Sequence, residues 1–205
     1  ITFAALAFSN EAFSATLTVT NPRPSQPKGL LNVIDRAQSG DTIVFDPALR
    51  LYDVSVNTPL IIEKSLIIDA SALEFGLEFT QRFGTGAPII LRHQGDEPPF
   101  EFHNVTFAHL TGREAAPLTI GAGDVICNRC FFYRNKNRVS NASPEEKGVI
   151  HSSGGDIALI NSHFVLNDSL FGGIYYGSGS LALLNSVAIA TFTDGLDPTA
   201  AFHGT

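Results

Sequence analysis

The sequence predicts an all-β protein, a right-handed parallel β-helix of three-strand coils of about 24 residues entered through a short amphipathic cap helix. Three observations carry this. Short apolar runs recur with an Asn at one fixed phase. Turn-forming residues close each run. The chain is 44% hydrophobic but only 16% charged, so it can bury a sizeable core.

The recurrence lies in four words: "FEFHNVTF" (100–107), "DVICNRCF" (124–131), "IALINSHF" (157–164) and "LALLNSVA" (181–188). Their anchors, Asn104, Asn128, Asn161 and Asn185, stand 24, 33 and 24 positions apart. A unit this short cannot bury its apolar face alone, so units must stack. Parallel stacking sets like residues above one another at about 4.8 Å. The four Asn are then expected to form a ladder at one corner, and Phe107, Phe131 and Phe164 an aromatic stack inside. Leu118, Ile150 and Ile174, 10 or 11 residues ahead of the anchors, are a second stacked family.

In chain order, residues 1–15 read as the remnant of a secretory signal peptide, with apolar Phe3 to Phe8 followed by small Ala12, Ser14 and Ala15. Residues 16–40 form the cap. They comprise a strand, a Pro-rich loop and the run "GLLNVIDRAQSG", whose Leu30, Leu31, Val33, Ile34 and Ala37 fall at helical spacing. A cap is needed because the end of a solenoid otherwise exposes strand edges and core. Residues 41–205 are the β-helix, expected to continue past Thr205. Its first strands are "DTIVFD", "LYDVSVN", "LIIEKSLIID" and "PIILRH". The 33-residue step contains an insertion, placed in the polar stretch 133–148, "YRNKNRVSNASPEEKG". No run reaches the roughly 18 apolar residues of a membrane-spanning helix. The chain holds no Met and reads as a piece of a longer protein.

A net charge of −7 argues against nucleic acid, which calls for a basic stripe. "CNRC" has the spacing of half a zinc site, and the repeat frame sets His103 and His163 near Cys127 and Cys130. A Cys₂His₂ site on those four residues is thus one candidate. A local disulfide or two plain thiols are the others, and no cofactor is expected. Asp124 and Asp156 fall at strand starts in adjacent coils and could pair, but nothing basic aligns with them. Catalytic residues are therefore not assigned. Arg134, Lys136 and Arg138, on the insertion, are candidates for a binding loop.

"KGLLNVIDRAQSGDTIVFDPAL" followed by "TPLIIEKSLIIDAS" resembles the opening of bacterial secreted β-helix repeat proteins. The words "FYRN" (132–135) and "FVLN" (164–167), with "GGDI" and "GGI", resemble the FxxN and GGA repeats of chlamydial polymorphic outer-membrane protein passengers, which are autotransporter adhesins. The resemblance covers most of residues 16–190. It implies a secreted or outer-membrane-associated passenger that adheres, displays or scaffolds without catalysis. Its partner would be a protein or carbohydrate on a host, matrix or neighbouring cell. The other function open to this fold is a polysaccharide lyase or glycoside hydrolase.

Overall fold

The computed structural model describes residues 14–81, 86–92, 97–113, 115–121, 123–138, 148–169, 174–189, 192–193 and 202–204. These form a parallel β-solenoid of about six turns. Every strand pairing among the described residues is parallel.

Sheet A holds seven strands: 16–19, 42–45, 67–69, 100–103, 125–128, 157–160 and 181–184. Sheet B holds 51–55, 76–80, 105–108, 131–133, 163–165 and 187–189. Sheet C holds 60–62, 89–91, 118–120, 150–152, 175–177 and 202–204. A fourth sheet, D, has two-residue strands at 111–112, 136–137, 168–169 and 192–193. The later coils thus have four strands, A-B-D-C, where three were expected. The run 60–69 divides into two strands, Leu60–Ile62 and Ile67–Asp69.

Alternation puts one side of each strand in the core, and the core is a set of columns. Phe79, Phe107, Phe132 and Phe164 stack at centroid separations of 5.7, 5.0 and 4.5 Å, with ring planes within 17°. The expected member Phe131 is not in this column. Its strand pairs Phe131 with Thr106 and His163, and Phe132 with Phe107 and Phe164, so Phe131 faces outward. Shifting by one residue exchanges the faces of a strand. The second family slips likewise: Leu118 and Ile150 pair in register with Tyr175, not Ile174.

The anchor Asn series carries the same offset. Asn128 pairs with His103 and Ile160. Counting the coil that starts at strand 42–45 as coil one, the corner residue of coil four is Arg129, at φ 56°, matching Asn104, Asn161 and Asn185 at 58°, 50° and 49°. Asn tolerates this left-handed conformation better than most residues. The side-chain amides of Asn161 and Asn185 still reach back to Asn128 and Asn161, at 3.4 Å each and in solvent. Asn104 instead donates to the carbonyls of Ala70 and Leu73.

A second Asn ladder lies inside. Asn135 and Asn167 are fully buried. Asn135 donates to the Phe107 carbonyl and to Oδ1 of Asn167, while its own Oδ1 accepts from the Leu110 amide. Asn167 accepts the Asn135 amide and donates to the Phe132 carbonyl. The words "FYRN" and "FVLN" therefore each contribute one ring to the stack and one amide to the inner ladder. Residues 133–138, assigned to the insertion, belong to the coil: they hold a ladder residue and the strand Lys136–Asn137. Residues 139–147 lie outside the described residues.

At the N-terminal end one helix, Leu30–Arg36, packs on strand 16–19 with Leu30, Val33 and Ile34 buried. It is shorter than the 29–40 pattern. Ala37 is buried but extended, and Gly40 turns at φ 89°. Lys64 Nζ donates to the carbonyls of Ile34 and Asp35, a cation at the negative helix end. The Tyr52 hydroxyl joins this region to coil one, accepting from the Leu30 amide and donating to the Asn21 carbonyl. Of the signal-peptide remnant, only Ser14 and Ala15 are described. Ser14 Oγ donates to the Gly40 carbonyl, and the Ala15 amide to Asp41 Oδ1.

Burial raises the Tyr52 hydroxyl above its ordinary value of 10.0, against a lowering by the Leu30 amide. Tyr175 is raised too, first by burial. A raised folded-state pKa contributes stability that is complete below the unfolded value, near 10, and is lost as pH rises through the folded value. Stability should therefore fall above about pH 10. Tyr52→Phe should flatten that fall while lowering stability at pH 7 by about 1–2 kcal/mol, since two hydrogen bonds are lost. Urea titrations at pH 7 and across pH 9–11 read both effects. A variant as alkali-sensitive as wild type sinks the assignment.

Candidate functional site

Cys127 and Cys130, the candidate metal ligands of the repeat frame, are both buried and unbridged. His103 lies on the outer side of sheet A, its Nε2 3.0 Å from Glu101 Oε2, and His163 is exposed on sheet B. The four ligands therefore sit on opposite sides of the wall, because the anchor offset turned the Cys strand over. No group of three or more His, Cys, Asp or Glu able to hold a metal occurs among the described residues.

Cys130 has a different role. Ser162 Oγ donates to the carbonyls of Cys127 and Ile160, and Ser186 Oγ to those of Leu159 and Leu184. The Cys130 thiol sits in the same place one coil below, facing the Phe102 and Asn128 carbonyls at 3.4 and 3.9 Å. The Cys130 and Ser162 amides in turn donate to Ser162 and Ser186. The Cys127 thiol is held well above its ordinary value by its hydrogen bond to Cys130 and by burial, which leaves it a poor nucleophile. In native protein, iodoacetamide should label neither Cys; both should react after unfolding, read by mass spectrometry. Cys130→Ser should change stability by less than about 1 kcal/mol, because a hydroxyl already fills this position in two coils.

Asp124 and Asp156 are structural as well. Asp124 Oδ1 accepts the Asp156 amide and Asp156 Oδ1 accepts the Ser180 amide, each at 2.8 Å. They tie turn to turn. Gly155, at φ 87°, lies against the Gly123 carbonyl, which a Cβ would meet at 2.2 Å; the "GGDI" word meets this steric demand.

The outer face of sheet B changes its chemistry from coil to coil. In register across it stand Asp53, Glu78, Thr106, Phe131, His163 and Val187. The neighbouring column is Ser55, Thr80, Ala108, Tyr133, Val165 and Ile189. Coil four is the aromatic one. Phe131 and Tyr133 are parallel at 5.7 Å, both half-buried. His163 meets Phe131 edge-on at 6.4 Å, and His109 meets Tyr133 at 5.4 Å. The guanidinium of Arg134 lies over the Tyr133 ring at 5.0 Å. Exposed Arg129 and Arg134 occupy the two left-handed corners that end this strand.

Of the expected binding loop, Arg134 thus belongs to this face. Lys136 is exposed on sheet D, and Arg138 pairs with Asp168. Sequence reading missed Arg129, Phe131 and Tyr133 as surface groups. Alignment on Asn128 sets Phe131 inside, and Arg129 is masked by the Asn beside it.

Two and three coils away, the same face carries Glu78 and Asp53 in adjacent rungs. Glu78 is raised from 4.5 by burial and by Asp53, against a lowering by His109. Next to Asp53, a groove of about 510 Å³ is bounded by Pro22, Arg23, Pro24 and Ser25 of the Pro-rich loop.

A wall of parallel in-register sheets around one columnar core defines a parallel β-solenoid protein. Compared with protein-family models, curated proteins and solved structures, the chain finds no match. No helix among the described residues is long and apolar enough to cross a membrane, which leaves β-barrel spans unaddressed.

Proposed function

We propose that the chain is a secreted or cell-surface β-solenoid passenger, acting in adhesion, surface display or scaffolding and without catalysis. In this reading the solenoid is right-handed with a coil of about 24 residues lengthened by insertions, and the helix Leu30–Arg36 is its N-terminal cap. The chlamydial-type outer-membrane passengers are its model, and a host, matrix or neighbouring-cell ligand is its partner. The cap assignment is supported by Leu30, Val33 and Ile34, buried against the edge strand 16–19. The observation that carries the reading is the coil-four face. Two half-buried aromatic rings face outward between two exposed arginines on a rigid wall, whereas the same two columns hold Asp53, Glu78, Thr106, His163 and Val187, and Ser55, Thr80, Ala108, Val165 and Ile189, in the other coils. Aromatic residues and Arg are the types that dominate binding surfaces.

The test is retention of purified protein on plates coated with mammalian cells, extracellular matrix or bacteria. Wild type should be retained, and Phe131→Ser with Tyr133→Ser should reduce retention several-fold. Retention on all three no higher than that of an inert protein ends the proposal.

The second reading, a carbohydrate-active enzyme, is favoured by Asp53, Glu78 and His109. Adjacent rungs set the backbones of Asp53 and Glu78 about 4.8 Å apart, so two carboxylates share one face, as glycosidase chemistry requires. A carboxyl raised toward neutrality suits a general acid. Reducing ends released from a polysaccharide panel, and lost in Glu78→Gln, would favour this reading over adhesion. A raised folded-state pKa also means that the ionised form of Glu78 is disfavoured in the fold. Its contribution to stability is present below 4.5 and lost as pH rises through the folded value. Glu78→Gln should therefore raise Tm at pH 7 and leave it unchanged near pH 3. A lower Tm at pH 7 would contradict the burial argument.

A further inference from the structure

We propose that the outer face of coil four is a binding site for a glycan carrying uronate carboxylates, with Arg129 and Arg134 taking the carboxylates and Phe131 and Tyr133 the pyranose faces. This rests on the adhesion reading and names its ligand class.

The backbone supplies the first argument. Arg129 and Arg134 hold φ of 56° and 51°. At the first corner the other coils place Asn104, Asn161 and Asn185; at the second, His109 and Leu166. Asn and His enter the left-handed region more readily than most residues. An Arg gains nothing locally from that conformation. The left-handed corner itself recurs from coil to coil, so what sets coil four apart is the residue type placed there. Both corners of one coil carry Arg, and the same coil carries the two outward-facing, half-buried aromatics.

Chemistry supplies the second. A guanidinium fork matches a carboxylate in two parallel hydrogen bonds. A pyranose ring presents an apolar C–H face that packs on aromatic surface, as other apolar groups do. Arg134 already lies over the Tyr133 ring, and this contact pre-orders its long side chain. The two arginines flank the two rings along a single strand, so one extended chain reaches all four groups. Two exposed arginines stand on one coil of a chain of net charge −7; Arg50, which also lies over a ring, that of Phe75, is already paired with Glu74.

The fold argues against a peptide here. Strand 131–133 is hydrogen-bonded on both sides, to 105–108 and 163–165. It has no free edge, so strand addition, which gives peptide ligands their backbone hydrogen bonds, is closed. A glycan needs no such edge.

The probes are a hyaluronan oligosaccharide, an oligogalacturonate, neutral dextran and polyglutamate, measured by calorimetry with the full chain at low salt. At least one uronate probe should bind and dextran should not. Binding should weaken as salt is raised. Arg129→Asn together with Arg134→Asn should weaken it about tenfold or more. Arg129→Asn installs the residue found at this corner in three other coils, so the fold should be as stable or more so, which separates binding from folding. Tyr133→Ser should also weaken binding. Two results overturn the proposal: no uronate probe binds, or polyglutamate binds as tightly as either uronate. If cells still retain the protein while the uronates fail, adhesion stands and only the ligand class falls.

Discussion

Phe132→Ala is expected to destabilise the protein by about 3–5 kcal/mol, whereas Phe131→Ala, one residue away, should cost about 1 kcal/mol. Phe132 sits between Phe107 at 5.0 Å and Phe164 at 4.5 Å, with no room for water. Its truncation leaves a ring-sized void in the middle of the column. Walls of parallel strands, hydrogen-bonded above and below, cannot close over such a void, so the cavity term stays near its full size. Phe131 stands outside, half-buried, and its truncation removes outer-face contacts, among them those to the Tyr133 and His163 rings, that water can replace. Solenoid coils are coupled to nearest neighbours. The loss at Phe132 should therefore weaken coils three to five together and lower the cooperativity of urea unfolding. Equal losses at the two positions would mean that the register is one residue from the one described.

That register is also the least legible feature of the sequence. The period and the short strands were legible, because alternation and turn residues are local properties that every coil repeats. The phase of coil four was not. Asn128 looks like Asn104, Asn161 and Asn185, yet it is the last residue of a strand, and Arg129 is the corner. Asn favours the left-handed corner without being required there, so alignment on its identity moved coil four by one. One slip then exchanged Phe131 for Phe132 and set the cysteines in a frame with two outward histidines. The sheet-B face was illegible for a different reason. Asp53, Glu78, Thr106 and Phe131 meet only across coils. The first two of those coils join their strands through longer corners, such as 70–75, that break the period. The FxxN words were visible as a resemblance, but their physical content, a ring and an amide each turned inward, needed the register.

The amide half of those words should have the other large effect. Asn135→Leu is expected to cost about 3–5 kcal/mol, although Leu110 occupies the same place one coil below and the side chains are similar in size. Asn135 satisfies three backbone or amide groups inside the wall: the Phe107 carbonyl, the Leu110 amide and Oδ1 of Asn167. Leucine satisfies none; Asn167 Oδ1 keeps the backbone amide of residue 135, but the Phe107 carbonyl and the Leu110 amide each lose this partner, at about 1–3 kcal/mol apiece. Gained apolar burial returns part of that sum, as Leu110 shows where the ladder ends. Asn128→Ala supplies the contrast. Its link to Asn161 is 3.4 Å long and exposed, and water replaces it, so the change should stay within about 0.5 kcal/mol. Urea unfolding of the three proteins at one pH measures both. If Asn128→Ala were the more damaging, the outer ladder would be the structural one, and the buried amides of Asn135 and Asn167 would be no more than space-filling.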